Sequence, residues 1–182
     1  MISTISVANY RSIIELVMPM GALNLITGLN GSGKSNLYRA LRLLAETAQG
    51  GVVNALAHEG GLESAFWAGP EKITSKMLSG EVEVQGGPRK NVVRLRLGFS
   101  SEEFGYSIDL GLPEPSSSAF SLDPEIKREC IWAGPAYRPA SVLVDRKGPM
   151  VKVKEGRSWQ VIASHLNSFD SMLSEVGDFN LA

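Results

Sequence analysis

Residues Gly28-Leu29-Asn30-Gly31-Ser32-Gly33-Lys34-Ser35 fit the spacing G-x-x-x-x-G-K-[ST], a pattern that works only between a strand and a helix. Residues 22–27 ahead of it form a short, mostly apolar run of the kind a buried strand needs. Behind it, Leu37, Ala40, Leu41, Leu44, Ala45 and Ala48 recur at three- and four-residue spacing and predict one apolar helix face. Gln49-Gly50-Gly51 then supplies a glycine stop. Gly28, Gly31 and Gly33 allow positive φ and close backbone approach. Successive N–H groups can then form an anion nest, reinforced by the helix N-terminus. Lys34 is placed to reach terminal phosphates and Ser35 to offer its hydroxyl to Mg²⁺. The competing reading is a Gly/Ser-rich turn followed by Lys-Ser by chance, which leaves the flanking strand and helix patterns unaccounted for.

Composition narrows the remaining chemistry. At 182 residues, the chain is one domain's length and long enough to bury a core. Eighteen Lys and Arg against nineteen Asp and Glu give a net charge of −1, which argues for neither nucleic acid nor an anionic membrane as a bulk partner. A single cysteine, Cys130, excludes an internal disulfide, and two histidines, His58 and His165, disfavour a histidine metal cluster. Neither a membrane-span pattern nor a signal-peptide pattern is present, so a cytoplasmic location is expected.

The rest of the chain reads mainly as strands. Residues 1–7 and 13–18 lie too close together for a parallel crossover and predict a hairpin. After the loop helix, residues 52–57 suggest a helical turn. Strands are then expected at 80–85, 91–99, 104–110 and 126–132, with a hairpin turn at Gly86-Gly87-Pro88-Arg89. Residues 112–118 read as a Pro/Ser-rich loop, and 142–144 with 150–154 as a further hairpin. Residues 161–176 read as helical in their second half, with Leu166, Phe169, Leu173 and Val176 on one face. The expectation is a single α/β unit: residues 1–50 carry the hairpin, loop and helix, and 51–182 form a strand-rich subdomain.

Asn9-Tyr10-Arg11-Ser12, the hairpin, and Gly28 to Ser35 followed by Asn36 together resemble the start of the ABC-type ATPase heads. That group includes SMC proteins, RecF, RecN and the overcoming-lysogenization-defect (OLD) nucleases, and the likeness points to the RecF/SMC-like AAA ATPases of bacteria. Tyr10 stands where that group commonly has Phe, and Asn36 separates it from many other phosphate-loop families. The resemblance is strong over residues 1–50, looser to about Trp67 and architectural beyond. It implies a P-loop NTPase fold, the N-terminal lobe of an ABC/SMC-type head with a mixed sheet and an antiparallel β-subdomain. It further implies ATP and Mg²⁺ as cofactors, with nucleotide held by Gly28, Asn30, Gly31, Ser32, Gly33, Lys34, Ser35, Asn36 and Arg11. Ser35 would carry Mg²⁺, and Tyr10-Arg11-Ser12 would lie near the adenine or phosphates. Two such heads close face to face on ATP, and hydrolysis drives DNA transactions or regulates an attached nuclease.

The hydrolytic half of that machinery is not legible. A Walker B strand needs four apolar residues and then Asp-Glu. Val142-Leu143-Val144-Asp145 is followed by Arg146, so Asp145 reads more readily as a turn aspartate. Leu78-Ser79-Gly80-Glu81 echoes a signature motif but reads as a loop entering a strand. Gln85 and Gln160 sit in the wrong settings for a γ-phosphate sensor. No catalytic carboxylate is identified. The resemblance therefore implies that the chain is the N-terminal half of a larger ATPase and works with a C-terminal half, an expectation the missing helix stop at residues 178–182 fits.

Other residues have bland readings. His58 beside Glu59 could be an acid/base pair, but surface helix residues look the same. Trp67-Ala68-Gly69-Pro70 and Trp132-Ala133-Gly134-Pro135 read as strand ends capped by Gly-Pro. Arg89, Lys90, Arg94 and Arg96 could face DNA, although Glu81, Glu83, Glu102 and Glu103 are expected to neutralise them across strands. Cys130 reads as a small core residue. Three functions remain: an ATPase head, a nucleotide-binding scaffold that never hydrolyses, and a small kinase. The last is disfavoured because strands rather than alternating strands and helices follow the loop helix.

Overall fold

The computed structural model describes residues 1–87, 89, 91–115, 117 and 120–175. Strands β1 (Ile2–Tyr10) and β2 (Ile13–Pro19) form the expected antiparallel hairpin, with Tyr10 opposite Ile13 across a two-residue tip. Arg11 takes φ 48 at that tip, a left-handed conformation that costs a non-glycine residue about 1 kcal/mol or more and needs outside contacts to persist. Its N–H donates to the Ala65 carbonyl at 2.8 Å, and its guanidinium pairs with Glu59.

Six further strands complete one sheet: β3 (Leu95–Ser101), β4 (Phe104–Gly111), β5 (Glu125–Ala133), β6 (Val142–Lys147), β7 (Met150–Glu155) and β8 (Ser158–Ala163). Their order is β2-β1-β3-β4-β5-β6-β7-β8, and every pairing among the described residues is antiparallel. Alternation sorts the two faces. Val7, Leu97 and Ile108 follow one another across the sheet on a buried face, as do Tyr106, Ile131, Val144 and Val153. Arg96, Asp109, Arg128 and Asp145 occupy the opposite face.

Helix α1 (Lys34–Thr47) covers the buried face, packing on β1, β3 and α2 (Val52–His58). Its buried side chains are Leu37, Ala40, Leu43, Leu44 and Thr47, while Ala45 is exposed. The apolar stripe is thus rotated toward Leu43 relative to the expected one, because α2 and the sheet share it. Two short helices follow, α3 (Leu62–Ala65) and α4 (Ser75–Leu78).

Several expectations give way. Residues 22–27 do not form a strand: they pair with no other segment among the described residues, with Leu23 92% and Leu25 87% exposed. The parallel contribution that would make the sheet mixed is therefore not formed among the described residues. Residues 80–85 make no strand either, and the turn at 86–89 closes no hairpin; Pro88 and Lys90 lie outside the described residues. Strand β3 starts at Leu95 rather than 91, since Val92 faces solvent and offers no burial to a strand. Residues 158–163 pair with β7 as β8, and helix α5 spans only Met172–Glu175, with Val176 and 178–182 outside the described residues. Trp67 ends no strand: it follows α3, and its indole N–H donates to the Pro70 carbonyl at 3.0 Å.

A second buried assembly pins the α5 segment to the sheet. Glu129 and Arg146, opposite each other on β5 and β6, are both fully buried and pair at 2.6 Å. Glu129 also accepts from the Tyr106 hydroxyl at 2.6 Å, the Ser171 hydroxyl at 2.5 Å and the Met172 N–H at 2.9 Å. Arg146 donates to the carbonyls of Gly148, Asn167 and Asp170. Burial, followed by the neighbouring Glu129 charge, pushes the Tyr106 phenol well above its ordinary pKa. The pair is enclosed by partners and has a structural role.

Candidate functional site: the glycine loop and its buttress

Gly31 and Gly33 take φ 85 and 92, and Gly33 stands immediately before α1. A Cβ on Gly28 would fall 2.7 Å from the Ser32 hydroxyl, and one on Gly33 would fall 3.2 Å from that of Ser12. The loop is therefore a cradle that side chains at these positions would fill. Among the described residues, the N–H groups of Gly31, Gly33, Lys34 and Ser35 make no backbone hydrogen bond, leaving four donors at a helix N-terminus. The Lys34 ammonium lies across the loop, donating to the carbonyls of Gly28 at 2.7 Å and Leu29 at 2.8 Å. Asn30, Ser32 and Ser35 are exposed. A polyphosphate fits this set: backbone donors, a lysine positive charge and the Ser35 hydroxyl, available to Mg²⁺.

The β1–β2 tip buttresses the loop. Asn36 in the first turn of α1 donates to the Ser12 hydroxyl at 2.8 Å. Arg11 Nη2 donates to the Glu59 carbonyl at 3.2 Å as well as to its carboxylate, and Arg11 Nε is buried with no acceptor among the described residues. Tyr10 is wholly buried and its hydroxyl donates to Glu59 at 3.2 Å. Burial raises its pKa, partly offset by the Arg11 hydrogen bond. Thus Arg11 and Ser12 lie beside the loop, whereas the Tyr10 ring is part of the core and cannot meet an adenine. Glu59, read from sequence as half of a surface pair with His58, is instead the residue that fixes the hairpin tip. The only signal for it was its place at a helix end before Gly60-Gly61.

A profile of the family described as "AAA domain, putative AbiEii toxin, Type IV TA system" matches residues 23–156, from the run ahead of the loop to the end of β7. The chain belongs to this family. Membership makes it an AAA P-loop ATPase domain and implies ATP binding. No curated protein matches the chain.

The remaining candidates in this AAA domain resolve into ordinary roles. Asp145 is not in a turn but in the middle of β6, where it accepts from Arg128 Nε at 2.8 Å. Leu78-Ser79-Gly80-Glu81 closes the single turn of α4. Arg94 and Arg96 are met by Asp109, at 3.9 and 3.6 Å, and not by the four glutamates expected. Asp109 is held above the usual carboxylate range by burial, against the pull of these arginines. Arg89 donates to the carbonyls of Trp67 and Gly69. Gln85 donates to Glu83 at 2.8 Å and Gln160 donates to Glu155. Cys130 is buried with Trp132 and Val142. Among the described residues, no cluster of three or more His, Cys, Asp or Glu could hold a metal, and no helix is long and apolar enough to cross a membrane.

Proposed function

We propose that the chain is the Mg-ATP-binding lobe of a RecF/SMC-like ATPase head, and that a complementary half supplies the Walker B and signature elements needed for hydrolysis. The observation that carries this reading is the pairing of a formed phosphate cradle with an unpaired apolar run leading into it. Leu23 and Leu25 expose almost all of their surface, which is out of keeping with a run whose composition suits a buried strand. Strands from a second segment, laid beside residues 22–27, would cover these side chains and bring carboxylates to the loop. In this assignment, Lys34 and the N–H groups of Gly31, Gly33, Lys34 and Ser35 hold the β- and γ-phosphates, and Ser35 takes Mg²⁺. Arg11 holds its buried spare donor beside them. Head-to-head dimers, a cytoplasmic location and a role in DNA repair, phage defence or nuclease control belong to the same proposal.

A second reading, a nucleotide-binding scaffold without turnover, is favoured by one feature. Among the described residues, no apolar strand ends in Asp-Glu, and Asp145 is engaged by Arg128. The two are separated by calorimetric ATP binding with phosphate release. ATP binding with turnover only when a Walker B-bearing segment is added supports the head. Turnover by the 182 residues alone would overturn the division of labour. Equal ATP binding by the parent and Lys34→Ala would overturn the site.

A further inference from the structure

A cleft of about 520 Å³ opens from Lys34 and Ser35 and runs along the outer side of α1, with α2 as its far wall. Lys34, Tyr38 and Arg42 succeed one another at four-residue spacing, so they share one helix face at rises of about 6 Å. The cleft therefore continues from the phosphate cradle for two helical turns, the reach of a ribose and a base. Leu43 and Ala55 contribute apolar lining.

Three observations fix what this cleft suits. Tyr38 lines it with 69% of its surface exposed, and its hydroxyl has no hydrogen-bond partner among the described residues. An exposed tyrosine is ordinary in itself; one placed a single turn beyond the loop lysine, inside a cleft continuous with the loop, is a stacking platform in reach of a nucleotide. Second, Tyr10 is withdrawn into the core, so the hairpin offers no aromatic face. Third, the charges are mixed. Among the described residues, Arg42 is paired with Glu46 at 2.6 Å and Arg11 with Glu59, which leaves Arg39 without an ion pair in the lining beyond Lys34 at the loop. A run of further phosphates, as on a nucleic acid strand, finds little free positive charge here. A nucleoside, with a π face, amine donors and ring acceptors, matches an aromatic surface flanked by both carboxylates and cations.

We propose that the α1–α2 cleft seats the nucleoside of the bound triphosphate, with its base stacked on Tyr38. This rests on the phosphate-loop reading above and adds the determinant that separates a nucleotide from a bare polyphosphate.

Calorimetric titration of the 182-residue chain with Mg-ATP and with inorganic tripolyphosphate tests it. The parent should bind ATP about ten-fold more tightly than tripolyphosphate, the scale of one base–aromatic stack. Tyr38→Ala should bring ATP down to the tripolyphosphate level and leave tripolyphosphate unchanged, while Tyr38→Trp keeps the preference. Lys34→Ala should weaken both ligands. If Tyr38→Ala retains the full ATP preference, the seat is wrong and the loop assignment stands. If the parent binds both ligands equally, the base is not read and the proposal falls. If neither ligand binds, the loop assignment fails and the seat fails with it. Tyr38 is exposed, so unchanged circular dichroism is expected for its variants.

Discussion

Asn36, in the first turn of α1, is joined by a 2.8 Å hydrogen bond from its amide to the hydroxyl of Ser12 at the tip of the β1–β2 hairpin. This is a short bridge between two segments that the glycine loop must hold in register. The bond ties the start of α1 to the hairpin tip. Asn36→Ala should cost about 1 kcal/mol of stability, the value of one ordinary hydrogen bond. It should weaken ATP several-fold through a looser loop. Thermal unfolding and calorimetry measure the two effects separately, and Ser12→Ala should reproduce both.

Lys34 and Ser35 should separate by metal dependence. Lys34→Ala removes a charge-assisted bond worth about 1.5–3 kcal/mol, so ATP affinity should fall ten- to a hundred-fold with or without Mg²⁺. Ser35→Ala should lower affinity only when Mg²⁺ is present. Titrations with and without EDTA distinguish them, and a Ser35→Ala loss that persists in EDTA would remove the metal assignment.

The tip of the hairpin should be sensitive to Glu59. Glu59→Ala leaves Arg11 at φ 48 without its carboxylate partner and frees the Tyr10 hydroxyl from its acceptor. A loss of about 1–3 kcal/mol is expected, as for a buried donor stripped of its acceptor, with Glu59→Gln milder. Chemical denaturation of the three proteins gives the ranking directly.

Inside the sheet, Glu129→Ala should be far more damaging than any exposed change. It strands Arg146, fully buried, together with the Tyr106 and Ser171 hydroxyls. About 3–5 kcal/mol is the usual cost of breaking such a pair from one side. The double variant Glu129→Leu with Arg146→Met should recover part of it, since no charge is then left unpaired. Urea midpoints for the single and double variants decide the matter.

Cys130 gives a pH signature. Burial pushes its thiol up to about 11, above its ordinary value of 9.0. The folded chain thus holds the proton where the unfolded chain releases it. The resulting stabilisation is present in full below pH 9 and is lost as pH rises toward 11. Alkylation of the native protein should be negligible at pH 8, where the thiol is both protonated and buried. Comparison with Cys130→Ala over the same range isolates the stability contribution from lysine and tyrosine titration.

Much of the candidate site's geometry is legible in the sequence, because a glycine turn ahead of a helix is local. Gly28 to Ser35, the helix behind and the hairpin ahead depend on neighbouring residues and on backbone geometry that only glycine permits. The antiparallel strands with clean alternation, such as 104–110 and 126–132, were readable for the same reason. What failed depended on distant partners. Residues 22–27 carry a buried strand's composition with nothing beside them, and 158–163 form a strand only because β7 offers an edge. Tyr10 and Glu59 were misjudged, and Asp109 was missed as the partner of Arg94 and Arg96, because these contacts cross the fold. Spacing along the chain carries no trace of such pairs.

The bare run around Leu23 and Leu25 also sets a timetable for assembly. An exposed apolar run whose backbone makes no hydrogen bond among the described residues adheres to whatever strand reaches it first, including the same run on another copy. A complementary segment of the kind proposed would therefore have to arrive early, made alongside this chain or held close to it. Purified by itself, the chain should clump as its concentration rises, and a charge placed at position 25 should keep it dispersed.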